Sequence, residues 1–148
     1  MKKLLITLTL TALAYASNTE QFDPIKHLEE RKTVLERALA NPDATPGFEE
    51  NGVVSVSREQ ANARNQEEFE SINVVLGLWD HTDKSQNFTD FLNSKRTVLE
   101  RALANPDATP GFEENGIVLV SREQAIALNQ KELNSLYTVL SLLQGPSF

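Results

Sequence analysis

The side chains best equipped for chemistry in this sequence come as two matching sets. Asp43, Glu49, Glu50 and Asn51 share one short stretch, and Asp107, Glu113, Glu114 and Asn115 repeat it 64 residues later. Such hard oxygen groups suit two kinds of work. They can ligate calcium, which takes several oxygens at once. Paired carboxylates can also cleave a glycoside, one as acid and the other as nucleophile or base. Neither pattern is complete. The ligand alternation of an EF-hand loop is missing, and adjacent glutamates on a solvated turn are ordinary surface charge. No neighbouring apolar wall marks a site that would raise a carboxyl pKa.

Other catalytic signatures are equally incomplete. His27 and His81 sit in dissimilar surroundings and the chain has no cysteine, so the three or four ligands of a zinc site are not spelled out. No nucleophile elbow, phosphate loop or dinucleotide fingerprint occurs. The expectation is therefore no metal, no cofactor and no catalytic residue. The alternative to a binding protein is a small exported hydrolase of cell-wall or extracellular polymers working through the loop carboxylates.

Phe48 and Phe112 lie beside these carboxylates, between turn-forming residues. Thr45-Pro46-Gly47-Phe48 fits a type II turn, with proline presetting φ and glycine supplying φ > 0. Asn51-Gly52 fits another tight turn. A phenylalanine so placed is either a hot-spot anchor for a partner or, more commonly, a plug folded back onto its own core. The candidate binding surface is thus Asp43, Phe48, Glu49 and Glu50, with Asp107, Phe112, Glu113 and Glu114.

These loops belong to an internal repeat. Thr33–Gln60 reads TVLERALANPDATPGFEENGVVSVSREQ, and Thr97–Gln124 differs from it only at Val53/Ile117 and Ser55/Leu119. Recent duplication accounts for such identity without selection on the segment. Each unit reads as helix, structured loop, short strand, helix. The first helix starts at Asp23-Pro24, since aspartate is a good N-cap and proline fits the first helical position. Ile25, Leu28, Leu35 and Leu39 recur along it at near-helical spacing, and Pro42 stops it near Ala40. Its counterpart begins near Thr89, ends near Ala104 and carries Phe91, Leu92, Leu99 and Leu103.

The second helices open on Ser57-Arg58-Glu59-Gln60 and Ser121-Arg122-Glu123-Gln124, both capping boxes. Phe69, Ile72, Leu76 and Trp79 then line one face. In unit two the face is Ile126, Leu133, Leu136, Tyr137, Leu140 and Leu143, and Gly145-Pro146 closes the helix. Trp79 reads as core packing at the linker end, with a carbohydrate or partner platform as its functional reading. Asn87-Phe88-Thr89 matches a glycosylation sequon by chance.

The predicted fold is mainly α: two tandem helix-loop-strand-helix units closing into a four-helix bundle. Unit one spans residues 17–80, the linker 81–88 and unit two 89–148, the two units forming one domain. Up-down-up-down order brings both long loops to one end. There Val53–Val56 and Ile117–Val120, rich in β-branched residues, are expected to pair as a short two-stranded ribbon resting on the bundle end.

The copies differ in one informative way. Ser55, Asn62 and Arg64 of unit one become Leu119, Ile126 and Leu128 in unit two. The expectation is that this region is more buried in unit two, under the rest of the bundle or under a second subunit.

Residues 1–16 read as a cleavable signal peptide. Lys2-Lys3 precede an apolar run, and Ala14-Tyr15-Ala16 supplies the small residues a signal peptidase reads. The run is shorter than the ~20 residues that span a bilayer. Cleavage leaves 12 basic against 21 acidic residues, a net charge of −9. That balance disfavours nucleic acid and anionic lipid. The sequence therefore points to a periplasmic or secreted binding protein with no membrane span in the mature chain. Its partner is expected to be a protein, and a homo-oligomer through unit two is the further expectation.

Overall fold

The computed structural model describes residues 22–50 and 53–144. The signal peptide, the Asn51-Gly52 turn and the Gly145-Pro146 stop lie outside them. The fold is mainly α, with four helices: α1 (Pro24–Ala40), α2 (Arg58–Asp80), α3 (Phe88–Ala104) and α4 (Arg122–Gln144). A 3-10 turn and two short strands stand between the helices of each unit. These are β1 (Phe48–Glu50) and β2 (Val53–Val56) in unit one, β3 (Phe112–Glu114) and β4 (Ile117–Val120) in unit two.

The helix starts follow from local chemistry. The Asp23 carboxylate accepts from the backbone N–H groups of Ile25 and Lys26, at 3.0 and 3.2 Å. Asn87 caps α3 by accepting from the Asp90 N–H at 2.9 Å, which places Phe88 inside the helix, one residue before the predicted start. Both capping boxes form. Gln60 N–H donates to Ser57 Oγ while Ser57 N–H donates to the Gln60 amide oxygen, at 3.2 and 2.9 Å. The Ser121–Gln124 box has the same form at 3.2 and 2.8 Å. Ser57→Ala and Ser121→Ala should each cost about 1 kcal/mol, the usual loss for an N-cap, measured as a shift in the urea midpoint. An unchanged midpoint would mean that the caps carry no stability.

Within each unit the two helices run antiparallel, tied by an ion pair that recurs at the repeat offset. Arg31 donates from Nε and Nη2 to both oxygens of Glu68. Lys95 and Glu132 occupy the matching positions, 3.3 Å apart. The two units join chiefly through α2 against α4, with α1 flanking α2 and α3 flanking α4. Each second helix therefore buries two sides, which is why its apolar stripe looks weak as a single face. Val75 and Val139, absent from the predicted stripes, are fully buried at this centre, as are Ile72 and Leu136. Ser71 and Ser135, another matched pair, are buried too. Tyr137, predicted for the core face, is instead 47% exposed.

An aromatic cluster closes the core at the linker end. Trp79, at the end of α2, packs edge-on against Phe88 with ring centroids 5.2 Å apart, and meets Phe91 at 5.3 Å. No residue of α2 before Ser71, and none of α4 before Leu133, is buried. The half of each second helix nearest the ribbon is thus only partly covered.

Candidate interaction surface

The ribbons at the loop end are built differently from the sequence expectation. β2 and β4 do not pair with each other. Each unit folds its own antiparallel hairpin, β1 with β2 and β3 with β4. The residues Phe48-Glu49-Glu50 and Phe112-Glu113-Glu114, read from sequence as loop, supply the first strands. A strand's nearest partner in sequence costs the least chain entropy to reach, so the local hairpin wins over pairing between units. Asn115 and Gly116 make its two-residue turn with φ of 53° and 78°. Positive φ at both positions is the type I′ requirement that Asn-Gly meets.

The Thr-Pro-Gly-Phe segments are not type II turns. The only glycine with positive φ among the described residues is Gly116. Gly47 and Gly111 have another purpose. A Cβ on Gly111 would lie 2.5 Å from the Val120 carbonyl oxygen, and one on Gly47 would lie 2.6 Å from that of Val56. Glycine here lets the incoming chain lie against the end of the returning strand just before the helix cap. A register irregularity follows at once, where Phe112 pairs with Val120 but Glu113 pairs with Val118. Leu119 is the extra residue, left without a partner on β3.

The predicted site residues are placed as follows. Asp43 and Asp107 sit on the 3-10 turns, almost fully exposed, and face the first arginine of the following helix. Asp43–Arg58 and Asp107–Arg122 are 3.8 and 3.9 Å apart. Pairs this open contribute little stability. Phe48, Glu49 and Glu50 form β1, and their side chains lie outside the described part. Glu113 and Glu114 are exposed neighbours on β3, so they project to opposite faces of the ribbon. They do not flank a common substrate position, as a glycosidase pair must. Phe112 is 57% exposed. It does not fold back onto the core, so the commoner fate of such a residue does not hold in unit two.

The sequence reading left four residues out of this surface. Ile117, Val118, Leu119 and Leu128 are all more than half exposed. With Phe112 they make the loop end of unit two strongly apolar. Leu119, Val120, Ala127 and Leu128 line an open groove of about 430 Å³ between β4 and the start of α4, with Lys131 at its rim. The matched positions in unit one are Ser55, Val56, Ala63, Arg64 and Glu67. The signal that would have found Leu119 and Leu128 was already in the sequence, in the polar-to-apolar differences between copies. The expectation that the bundle covers Leu119 and Leu128 is overturned, and Ile126 is half-buried like its counterpart Asn62. Leu119 and Leu128 are as open as Ser55 and Arg64, because the helices are not buried this close to the ribbons. Monomers rarely leave a continuous apolar patch of several hundred Å² uncovered without a use for it.

A second concavity lies between α1 and α2. It has a volume of about 620 Å³ and carries both signs of charge, from Glu29, Lys32, Glu36, Asp80 and Lys84. The Lys84 ammonium stands 4.1 Å from the centre of the Trp79 ring, a cation–π contact that shields the indole. In unit two Tyr137 takes the position of Asn73 and donates its hydroxyl to Glu100 at 2.6 Å. That hydrogen bond to a carboxylate raises the phenol pKa above its ordinary value. Stability linked to the neutral phenol is present below the ordinary tyrosine pKa and is lost as pH rises through the elevated one. Tyr15 and Tyr137 are the two tyrosines, so a chain starting at Ser17 has one phenol to titrate. Its ultraviolet titration should show a midpoint above that of free tyrosine, and Glu100→Gln should lower it.

The chain matches no protein-family model, no curated protein and no solved structure. Among the described residues, no group of three or more potential metal ligands occurs, and no helix is long and apolar enough to cross a membrane.

Proposed function

We propose that this chain is an exported, small helical interaction protein that meets a protein partner with its loop end. The observation that carries the reading is the exposure of Phe112 together with Ile117, Val118, Leu119 and Leu128 on one hairpin and the helix turn beside it. An uncharged, aromatic-containing centre bordered by charged residues is the composition of a protein contact surface. The acidic chain, net −7 over its full length, fits a protein partner better than a phosphate backbone. Export rests on the charge, apolar run and A-x-A order of residues 1–16. The candidate residues are those of the sequence reading, extended by the four apolar residues of β4 and α4.

Two measurements test the proposal. Intact mass of material recovered from the envelope or medium should correspond to a chain starting at Ser17; an uncleaved chain retained in the cytoplasm overturns the export part. Chemical cross-linking in the producing cell should trap the protein in a complex through the loop end. The double variant Leu119→Ser, Leu128→Arg, which installs the unit-one residues, should lose that complex. Equal cross-linking of both proteins overturns the interaction surface.

A further inference from the structure

We infer that the partner of this surface is a second copy of the same chain, joined through β4 about a two-fold axis. The inference rests on the reading above that the loop end is a protein contact surface, and adds the identity of what covers it. The first observation is the open edge of β4. Its inner edge pairs with β3, while no other strand among the described residues pairs with its outer edge. It carries neither lysine nor proline, two of the guards of an open edge, and is protected only by its shortness and the bulge at Leu119. A two-stranded ribbon is marginal alone, and a third and fourth strand are what stabilise it. An antiparallel edge can meet its own copy by a two-fold rotation, which makes the contact self-complementary.

The second observation is the composition of that strand. Ile117, Val118, Leu119 and Val120 put apolar groups on both faces of a ribbon whose faces are both open. A strand waiting for a single cover is apolar on one face and polar on the other. Apolar character on both faces fits a central strand of a wider sheet, where neighbouring strands on both edges supply cross-strand apolar partners for each face.

Charge agrees with a second copy, and the patch it would meet is made of five apolar side chains that are each more than half exposed. Edge pairing covers only part of that patch, so the contact belongs with the small, concentration-dependent interfaces. Glu113 and Glu114 border the patch on β3, and Arg122 and Lys131 border it on α4. Both signs flank the apolar centre, so the acidic excess of the whole chain does not set copy against copy at this place. The first unit supplies an internal control. It has the same backbone hairpin, yet carries Ser55 and Arg64 where the second has Leu119 and Leu128.

The test uses the chain beginning at Ser17. Sedimentation or light scattering should give about twice the monomer mass at micromolar to millimolar concentration, falling to the monomer on dilution. The double variant Leu119→Ser, Leu128→Arg should sediment as a monomer with an unchanged helical circular dichroism spectrum, since both replaced side chains are exposed. The absence of native cysteine permits a second, independent measurement. Under mild oxidation Ile117→Cys, Val118→Cys or Leu119→Cys should form a covalent dimer, and Ser55→Cys should not. A wild-type monomer at every concentration overturns the inference, as does a dimer that survives the double variant or cross-links equally at position 55. If a monomeric wild type is nonetheless cross-linked in cells to a different protein through Leu119 and Leu128, the interaction reading stands and only the second copy falls.

Discussion

Trp79→Ala should lower the unfolding free energy by about 3–5 kcal/mol, the range for deleting a large buried aromatic side chain. The indole is 8% exposed and touches Phe88 and Phe91 across the junction of the two units. Its removal therefore loses apolar burial and two aromatic contacts together, and opens a cavity that helices held by a short linker cannot close. Small domains have only about 5–15 kcal/mol in hand, so a large fraction of the total disappears. The sharpest comparison is with the duplicate: Leu143 occupies the same repeat position but is only partly buried. Leu143→Ala should cost roughly 2 kcal/mol or less, the lower end for a leucine deletion. Far-UV circular dichroism melts measure both, since the chain's one tryptophan is itself the residue removed. Equal losses at the two positions would show that the linker end is not the heart of the fold. Phe88→Ala, which leaves the indole in place, should shift tryptophan emission to the red by admitting water.

Gly111→Ala should be as disruptive locally as Gly77→Ala is benign. A Cβ at position 111 would meet the Val120 oxygen at 2.5 Å, the Arg122 nitrogen at 3.1 Å and the Ser121 carbonyl carbon at 3.2 Å. All three are backbone atoms, so no rotamer change relieves the clash. β3 must lift from the end of β4, or the end of β4 must move and disturb the Ser121 cap. The cost should be about 1–3 kcal/mol, as for other forced overpacking, with faster amide exchange along β4. At Gly77, in the last turn of α2, a Cβ meets nothing within 4 Å. Alanine there should instead stabilise by about 0.5–1 kcal/mol, because glycine loses more chain entropy in a helix. Urea melts of the two variants should therefore move in opposite directions. Movement in the same direction would show that close backbone approach is not what position 111 requires.

The local features were legible because their causes lie within a few residues. Asp23-Pro24, both serine-glutamine capping boxes and the stop at Pro42 act through backbone groups three or four positions away. The Asn115-Gly116 turn was legible in the same sense, being read from its equivalent Asn51-Gly52, since Asn-Gly tolerates positive φ wherever it stands. The four-helix, mainly α fold followed from these signals and from the apolar spacing.

What the sequence left undecided depends on distant chain. Whether β4 pairs with β2 or with β3 is a competition between partners, and the propensity of either strand is silent on it. The role of Gly47 and Gly111 is set by a carbonyl nine residues ahead. The wide burial of α2 and α4, which hides Ser71, Val75, Ser135 and Val139, exists only because each second helix packs against two neighbours. The site divides the same way. The sequence by itself determined which positions changed from polar to apolar between the copies. Only the tertiary structure decided that Phe112, Leu119 and Leu128 stay open to solvent, because burial depends on which surfaces the packed helices leave uncovered.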